Sequence, residues 1–127
     1  MRAFVIVVTF VAASHMMLSS AEAACTGSNG RGWATGGGAG QFEMSAADKT
    51  CPIDFPGAMN EATGTRIPAT QVKITRPPSS GKVAVTKSGL VYTPNKGFTG
   101  SDTFCTSNTT PKVPGATLSG CVTVSVR

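Results

Sequence analysis

Few side chains in this chain could carry out catalysis. The single histidine, His15, lies within the first 23 residues, which have the layout of a removable export signal. Loss of that segment would leave no histidine, which excludes Ser-His-Asp and Cys-His nucleophilic sites and histidine-ligated metal sites. A glycosidase needs two carboxylates across a cleft, and the pair to consider is Asp54 with Glu61. Because the pattern places Asp54 on the outer face of a strand and Glu61 in a loop, we expect no enzyme activity, no cofactor and no metal.

The first 23 residues predict export. Arg2 precedes an apolar run over residues 3–13, and Ala21-Glu22-Ala23 forms a small-residue cleavage site. The apolar run is shorter than the roughly 20 residues that span a bilayer, and no later stretch is suited to span one. Cys25 lies close enough to the cleavage site to raise lipidation as an alternative. We expect a secreted protein, periplasmic or extracellular, with no transmembrane segment.

The four cysteines predict two disulfides. Paired cysteines are typical of short exported chains, and the absence of a C-x-x-C motif argues against zinc or redox chemistry. Cys105 follows an inward residue and Cys121 precedes one, so both face outward from neighbouring strands. A Cys105–Cys121 bridge fits this arrangement and leaves Cys25 to pair with Cys51. An inter-sheet bridge between Cys51 and Cys105 ranks second, because Cys105 is one residue out of the inward register.

Positive charge is concentrated in the middle of the sequence. The chain has 11 Lys and Arg against 6 Asp and Glu, and residues 62–101 contain no acid but six basic residues: Arg66, Lys73, Arg76, Lys82, Lys87 and Lys96. A basic sheet face could attract anionic polymers such as lipopolysaccharide, acidic glycans or nucleic acid. The alternative is that scattered lysines only keep an exported domain soluble. No aromatic platform is interleaved with these charges, so we expect no specific nucleic-acid partner.

Composition and periodicity predict an all-β fold. All 15 Gly and 8 Pro follow residue 23, which excludes a helical bundle. Alternating apolar residues mark strands near 41–44, 53–55, 71–75, 83–85, 90–92 and 122–126, and the segment around Phe104 brings the total to about seven. We therefore predict an antiparallel β-sandwich over residues 40–127. Residues 24–39 are glycine-rich and predict a flexible leader, in which Trp33 either docks on the domain, as we favour, or forms an exposed contact.

A fourteen-residue motif over 91–104 predicts a tight corner between two strands. Tyr92 points inward, Pro94 ends its strand, and Asp102 can accept local backbone N–H bonds. Gly97 and Gly100 permit the corner, and the Phe98 ring can lie beneath it. Phe104 begins the next strand and faces the core.

This stretch resembles the Y-T-P-x-x-G-F-x-G-x-D-x-F signature of bacterial Ig-like and cadherin-like secreted repeats. Residues 77–83 resemble the hairpin that precedes the signature in that family, and residues 122–126 resemble its last strand. The resemblance covers about residues 70–127 and implies an Ig-like sandwich. Calcium-binding members carry clustered aspartates, whereas Asp102 stands alone. The family usually forms tandem arrays, and the chain contains one copy.

Together these observations predict an exported, non-catalytic Ig-like module. It would have a binding or structural role at the cell envelope or outside the cell, with the basic face as the candidate contact surface, and would be a monomer. Its partner would be an unknown protein or an anionic envelope polymer. The alternative is a secreted inhibitor or binder of another protein, with contacts from residues 96–101 or from the segment around Trp33.

Overall fold

A computed structural model describes residues 25–60 and 62–127. The predicted signal peptide and Glu61 lie outside these residues. The described chain contains a 3-10 helix, Trp33–Thr35, and ten strands: β1 Cys25–Ser28, β2 Gly38–Met44, β3 Cys51–Ile53, β4 Gly57–Asn60, β5 Thr65–Pro68, β6 Gln71–Arg76, β7 Gly81–Val85, β8 Leu90–Pro94, β9 Gly100–Thr109 and β10 Leu118–Val126. The predicted all-β class is confirmed, but shorter strands raise the count above seven.

The strands form a sandwich of two sheets with an additional hairpin. One sheet has the order β1-β2-β10-β9-β6, the other has the order β3-β8-β7, and β4 pairs with β5. The predicted purely antiparallel pairing does not hold throughout, because β2 and β10 pair in parallel, with Phe42 opposite Val124. Parallel strands need a long connection, and here most of the domain lies between β2 and β10.

The core fills the space between the two sheets. In the five-stranded sheet, alternate residues point inward, and Val122, Val124 and Phe104 are almost completely buried. The three-stranded sheet contributes Leu90 and Tyr92, and the Tyr92 and Phe104 rings stack with their centroids 6.4 Å apart. Burying a side chain of this size contributes about 1.5–3 kcal/mol, so this layer is the main source of stability.

Residues 25–39 differ from the predicted flexible leader. β1 pairs antiparallel with β2, so the sandwich includes residues before Gly40. Trp33 is only 5% exposed, and its indole Nε1 donates a hydrogen bond of 2.6 Å to the Asn29 carbonyl. A Cβ at Gly38 would overlap the indole ring, so the glycine makes room for the tryptophan. The docking that we favoured for Trp33 is confirmed.

The two disulfides follow the preferred pairing. Cys25–Cys51 joins β1 to β3 and so links the two sheets, with Cα atoms 5.1 Å apart. Cys105–Cys121 joins directly opposed residues of β9 and β10, with Cα atoms 3.9 Å apart. This pairing excludes the alternative bridge between Cys51 and Cys105. Two disulfides are compatible with an oxidising compartment outside the cytosol.

Both ends of the described chain lie at the same end of the sandwich. Cys25 is opposite Met44, and Met44 is in turn beside Val126. Arg127 continues this arrangement, because its backbone N–H donates a 3.0 Å hydrogen bond to the Met44 carbonyl. Among the described residues, no helix has the length and apolar character needed to cross a membrane.

Candidate functional site

The fourteen-residue motif surrounds a buried carboxylate. Asp102 is 2% exposed, and its Oδ1 accepts a 2.9 Å hydrogen bond from the backbone N–H of Ser79. Its Oδ2 accepts hydrogen bonds from the backbone N–H of Ser80 at 3.0 Å and from the Tyr92 hydroxyl at 2.7 Å. Asp102 thus accepts backbone N–H bonds as predicted, but the donors are 22 and 23 residues away and are not local. Asp102 lies on an inward-facing position of β9, beneath the loop that joins β6 to β7.

This buried network has a structural role. Burial raises the pKa of the Tyr92 hydroxyl above its ordinary value, and the hydrogen bond to Asp102 and the charge of that carboxylate raise it further. The hydroxyl therefore keeps its proton at neutral pH and donates it to Asp102. Because β6 and β7 belong to different sheets, the carboxylate fastens the loop that passes from one sheet to the other.

The rest of the motif forms the corner that the sequence predicts. Pro94 is the last residue of β8, and the half-buried Phe98 packs against the core. Gly97 and Gly100 have φ angles of 83° and 129°, a region that residues with a Cβ rarely adopt. The motif thus turns the chain from one sheet into the other, and its named positions other than Lys96 serve this corner.

The six predicted basic residues are all exposed, but they do not share one sheet face. Lys73 points outward from β6 in the five-stranded sheet, because its neighbours Val72 and Ile74 face the core. Lys82 points outward from β7 in the other sheet. The predicted basic sheet face is therefore wrong. Linear charge density did not predict surface arrangement, because β6 and β7 are consecutive in sequence and lie in opposite layers.

Five of these residues instead fall into two groups at opposite ends of the sandwich. Arg76, Lys82 and Lys96 lie around the loop over residues 77–80, where the Asn95 backbone N–H donates a 2.8 Å hydrogen bond to the Ser80 carbonyl. We call this group the Arg76 end. Arg66 and Lys87 lie at the opposite end, in the β4–β5 hairpin and in the turn between β7 and β8. We call that region, together with Arg31 and Asp54, the Arg66 end.

The Arg66 end contains two adjoining cavities. A cavity of about 850 Å³ runs along β1 and the following loop and is lined by Arg31, Asp54 and Arg66. A second cavity, of about 440 Å³, lies between the hairpin and the β7–β8 turn and is lined by Asp54, Arg66 and Lys87. Asp54 and Arg66 therefore belong to the wall of both cavities. Three cations and one carboxylate surround this concave surface.

Two neighbours hold the Arg66 side chain in place. Its guanidinium donates a hydrogen bond from Nη2 to the backbone carbonyl of Phe55. The side chain also lies across Gly57, since a Cβ at that position would be only 2.7 Å from Arg66 Nε. Sequence analysis missed the roles of Gly57 and Arg31. The β4–β5 hairpin brings Gly57 next to Arg66. The sequence of this hairpin has no alternating apolar pattern from which the contact could be predicted.

Asp54 and Asn29 connect the two sides of the larger cavity. The Asn29 side chain donates a 2.8 Å hydrogen bond from Nδ2 to the Asp54 backbone carbonyl, which joins the loop after β1 to the end of β3. The Asp54 carboxylate is exposed, and among the described residues it forms no ion pair with Arg31 or Arg66. Both the arginines and the carboxylate thus retain free hydrogen-bonding groups.

Comparison with protein-family models, with curated proteins and with solved structures gave no match. The resemblance to Ig-like and cadherin-like repeats therefore stays a prediction from the motif. Within the described residues, no group of three or more His, Cys, Asp or Glu side chains is placed to hold a metal ion.

Proposed function

We propose that this protein is an exported, non-catalytic binding module that holds an anionic polymer of the cell envelope or its surroundings. The observation that carries the proposal is the exposure of all six basic side chains of residues 62–101, a stretch that contains no acidic residue. Exposed cations that outnumber the acids beside them, as Arg31, Arg66 and Lys87 outnumber Asp54, create a positive potential that attracts polyanions. The two disulfides support a role outside the cytosol.

The separation of the charges favours a polymer over a small ion. The Arg66 end and the Arg76 end lie at opposite ends of β6 and β7. A strand rises about 3.3 Å per residue, so the six residues of β6 separate the two groups by roughly 17 Å or more. One small anion could contact only one group, whereas a chain of repeating anionic units could contact both.

Co-sedimentation with isolated cell envelopes tests this function. Residues 24–127 would be mixed with envelopes at low salt and at about 1 M salt, where the Debye length is about 3 Å. We expect pelleting at low salt that disappears at high salt. No pelleting at either salt concentration would overturn the proposal.

A second candidate function is the binding or inhibition of another protein. It is favoured by two large apolar side chains that remain exposed, Met59 at 61% and Val85 at 49%. Met59 lies opposite Arg66 in the hairpin, and Val85 ends β7 just before the turn that carries Lys87. The buried Trp33 offers no exposed contact for such a partner. Pelleting that survives high salt would favour this second function, because apolar contacts are not screened.

The enzyme hypothesis rested on Asp54 with Glu61. Asp54 is exposed, and Glu61 lies outside the described residues. The proposal includes no catalytic step. If Asp54→Asn removed a turnover without unfolding the domain, the non-catalytic part of the proposal would be wrong.

A further inference from the structure

We propose that the two cavities of the Arg66 end form one binding site for an acidic saccharide, a sugar chain that carries carboxylate or phosphate groups. Arg66 would bind an anionic group and Asp54 a sugar hydroxyl. This inference rests on the proposed function and deepens it, because it gives the anionic polymer a site and a chemical class.

Arg66 is suited to bind an anionic group at the junction of the cavities. A guanidinium has five N–H donors in a planar fork, and the hydrogen bond to the Phe55 carbonyl occupies only part of that capacity. The side chain is already held across Gly57 before any ligand arrives. A positioned guanidinium loses less side-chain entropy on binding than a free one, so more of its interaction energy appears as affinity.

Arg31 and Lys87 extend the site in two directions from Arg66. Arg31 lines only the larger of the two cavities, and Lys87 lines only the smaller one. A saccharide with anionic groups on successive units could therefore place one group at Arg66 and others near Arg31 or Lys87. A concave surface between cations concentrates the positive potential more than the outward-pointing lysines of the strands do.

Asp54 is the reason to infer a saccharide rather than another polyanion. An ionised carboxylate only accepts hydrogen bonds, so a ligand group that contacts Asp54 directly must be a donor. Sugar hydroxyls are such donors, and an acidic saccharide carries hydroxyls and anionic groups on one chain. The aromatic lining residues of the two cavities are Phe42, which is buried, and Phe55, which is half-buried, so bases of a nucleic acid would find no exposed ring to stack on.

A substitution that keeps the net charge gives the sharpest test. In Gly57→Ala the three atoms nearest the added Cβ would be Nε, Cγ and Cζ of Arg66, so this side chain would have to move, and Gly57 does not have a positive φ angle. We expect Gly57→Ala to weaken binding of polygalacturonate several-fold in calorimetric titrations at low salt. Arg66→Gln should weaken it about tenfold, as expected for loss of one charge-assisted contact. Arg66→Lys keeps the charge without the planar fork and gives a second charge-neutral variant if Gly57→Ala fails to fold.

Lys73→Gln is the matched control, since it removes one positive charge from an exposed strand position outside both charged groups. If Arg66→Gln and Lys73→Gln weaken binding equally and both charge-neutral variants bind like the parent, the site is wrong while the proposed function stands. If the parent protein binds no acidic polymer at low salt, the proposed function itself fails. Lipopolysaccharide would be tested in parallel, and comparison with polygalacturonate would show whether the site prefers phosphate or carboxylate groups. Binding of either polymer that depends on Arg66 supports the site. Polyphosphate, which lacks hydroxyls, would overturn the saccharide assignment if it bound as tightly per charge.

Discussion

Replacing Asp102 with asparagine tests how the loop between the two sheets is fastened. The carboxylate accepts hydrogen bonds from Ser79 N–H on one oxygen and from Ser80 N–H and the Tyr92 hydroxyl on the other. The amide of asparagine has a single oxygen. In its better orientation it keeps the two bonds at the Oδ2 position and turns an NH₂ group toward the Ser79 N–H. The Ser80 N–H and the Tyr92 hydroxyl would then share the one remaining oxygen, and the Ser79 N–H would face a donor in place of its acceptor.

The expected loss of stability is about 2.5–7 kcal/mol. A hydrogen bond to a charged group contributes about 1.5–3 kcal/mol and one to a neutral group about 1 kcal/mol. The Asp102→Asn variant would lose one bond of the first kind and convert two others to the weaker kind. A typical domain has only about 5–15 kcal/mol of total stability, so this change would be large. The near-complete burial of Asp102 means that water cannot easily replace the missing acceptor.

Urea denaturation followed by circular dichroism, with both disulfides intact, measures this loss. Glu43→Gln is the matched control, because it also converts a carboxylate to an amide, but Glu43 is exposed and pairs with the exposed Arg127. Exposed pairs contribute about 0–1 kcal/mol, so the control should change little. If Asp102→Asn costs no more than Glu43→Gln, the buried carboxylate does not fasten the loop and our reasoning is refuted.

Two further predictions concern the buried side chains of Trp33 and Tyr92. Trp33→Ala should lower the free energy of unfolding by about 3–5 kcal/mol, because it empties the space beside Gly38. Thermal melting would measure this loss. A small effect would mean that the packing of the indole ring contributes little to stability. The raised pKa of Tyr92 means that the folded state keeps a proton which the unfolded state releases above about pH 10, so stability should fall as the pH rises through that value. Urea midpoints between about pH 8 and 11 should show a smaller fall in Tyr92→Phe than in the parent, and equal falls would contradict the assignment.

The predictable parts of this fold are those encoded by local alternation. The apolar positions of β2 and β10 predicted which residues, such as Phe42 and Val124, face the core. The same alternation placed Cys105 and Cys121 outward and so gave the correct pairing. In these strands the burial of one face fixes the register, and the sequence carries the pattern directly.

The parts that escaped prediction depend on contacts between distant segments. The glycines of residues 25–39 suggested mobility, yet Gly38 provides room for Trp33 and the segment is packed. The backbone N–H partners of Asp102 are 22 and 23 residues away, so the motif over 91–104 could not identify them. The grouping of Arg66 with Arg31 and Asp54 requires the hairpin and the β1 loop to meet, which neither segment signals by itself.

The position of Arg127 has a practical consequence for attaching the protein to a surface. β10 has nine residues and rises about 3.3 Å per residue, so roughly 25 Å separates Arg127 from the opposite end of the sandwich. A label, bead or fusion partner joined at Arg127 would therefore lie away from Arg66 and Lys87. A tether at Cys25 would instead lie on the wall of the larger cavity, which Cys25 lines. Protein held in one uniform orientation through Arg127 would thus present both cavities to a passing polymer.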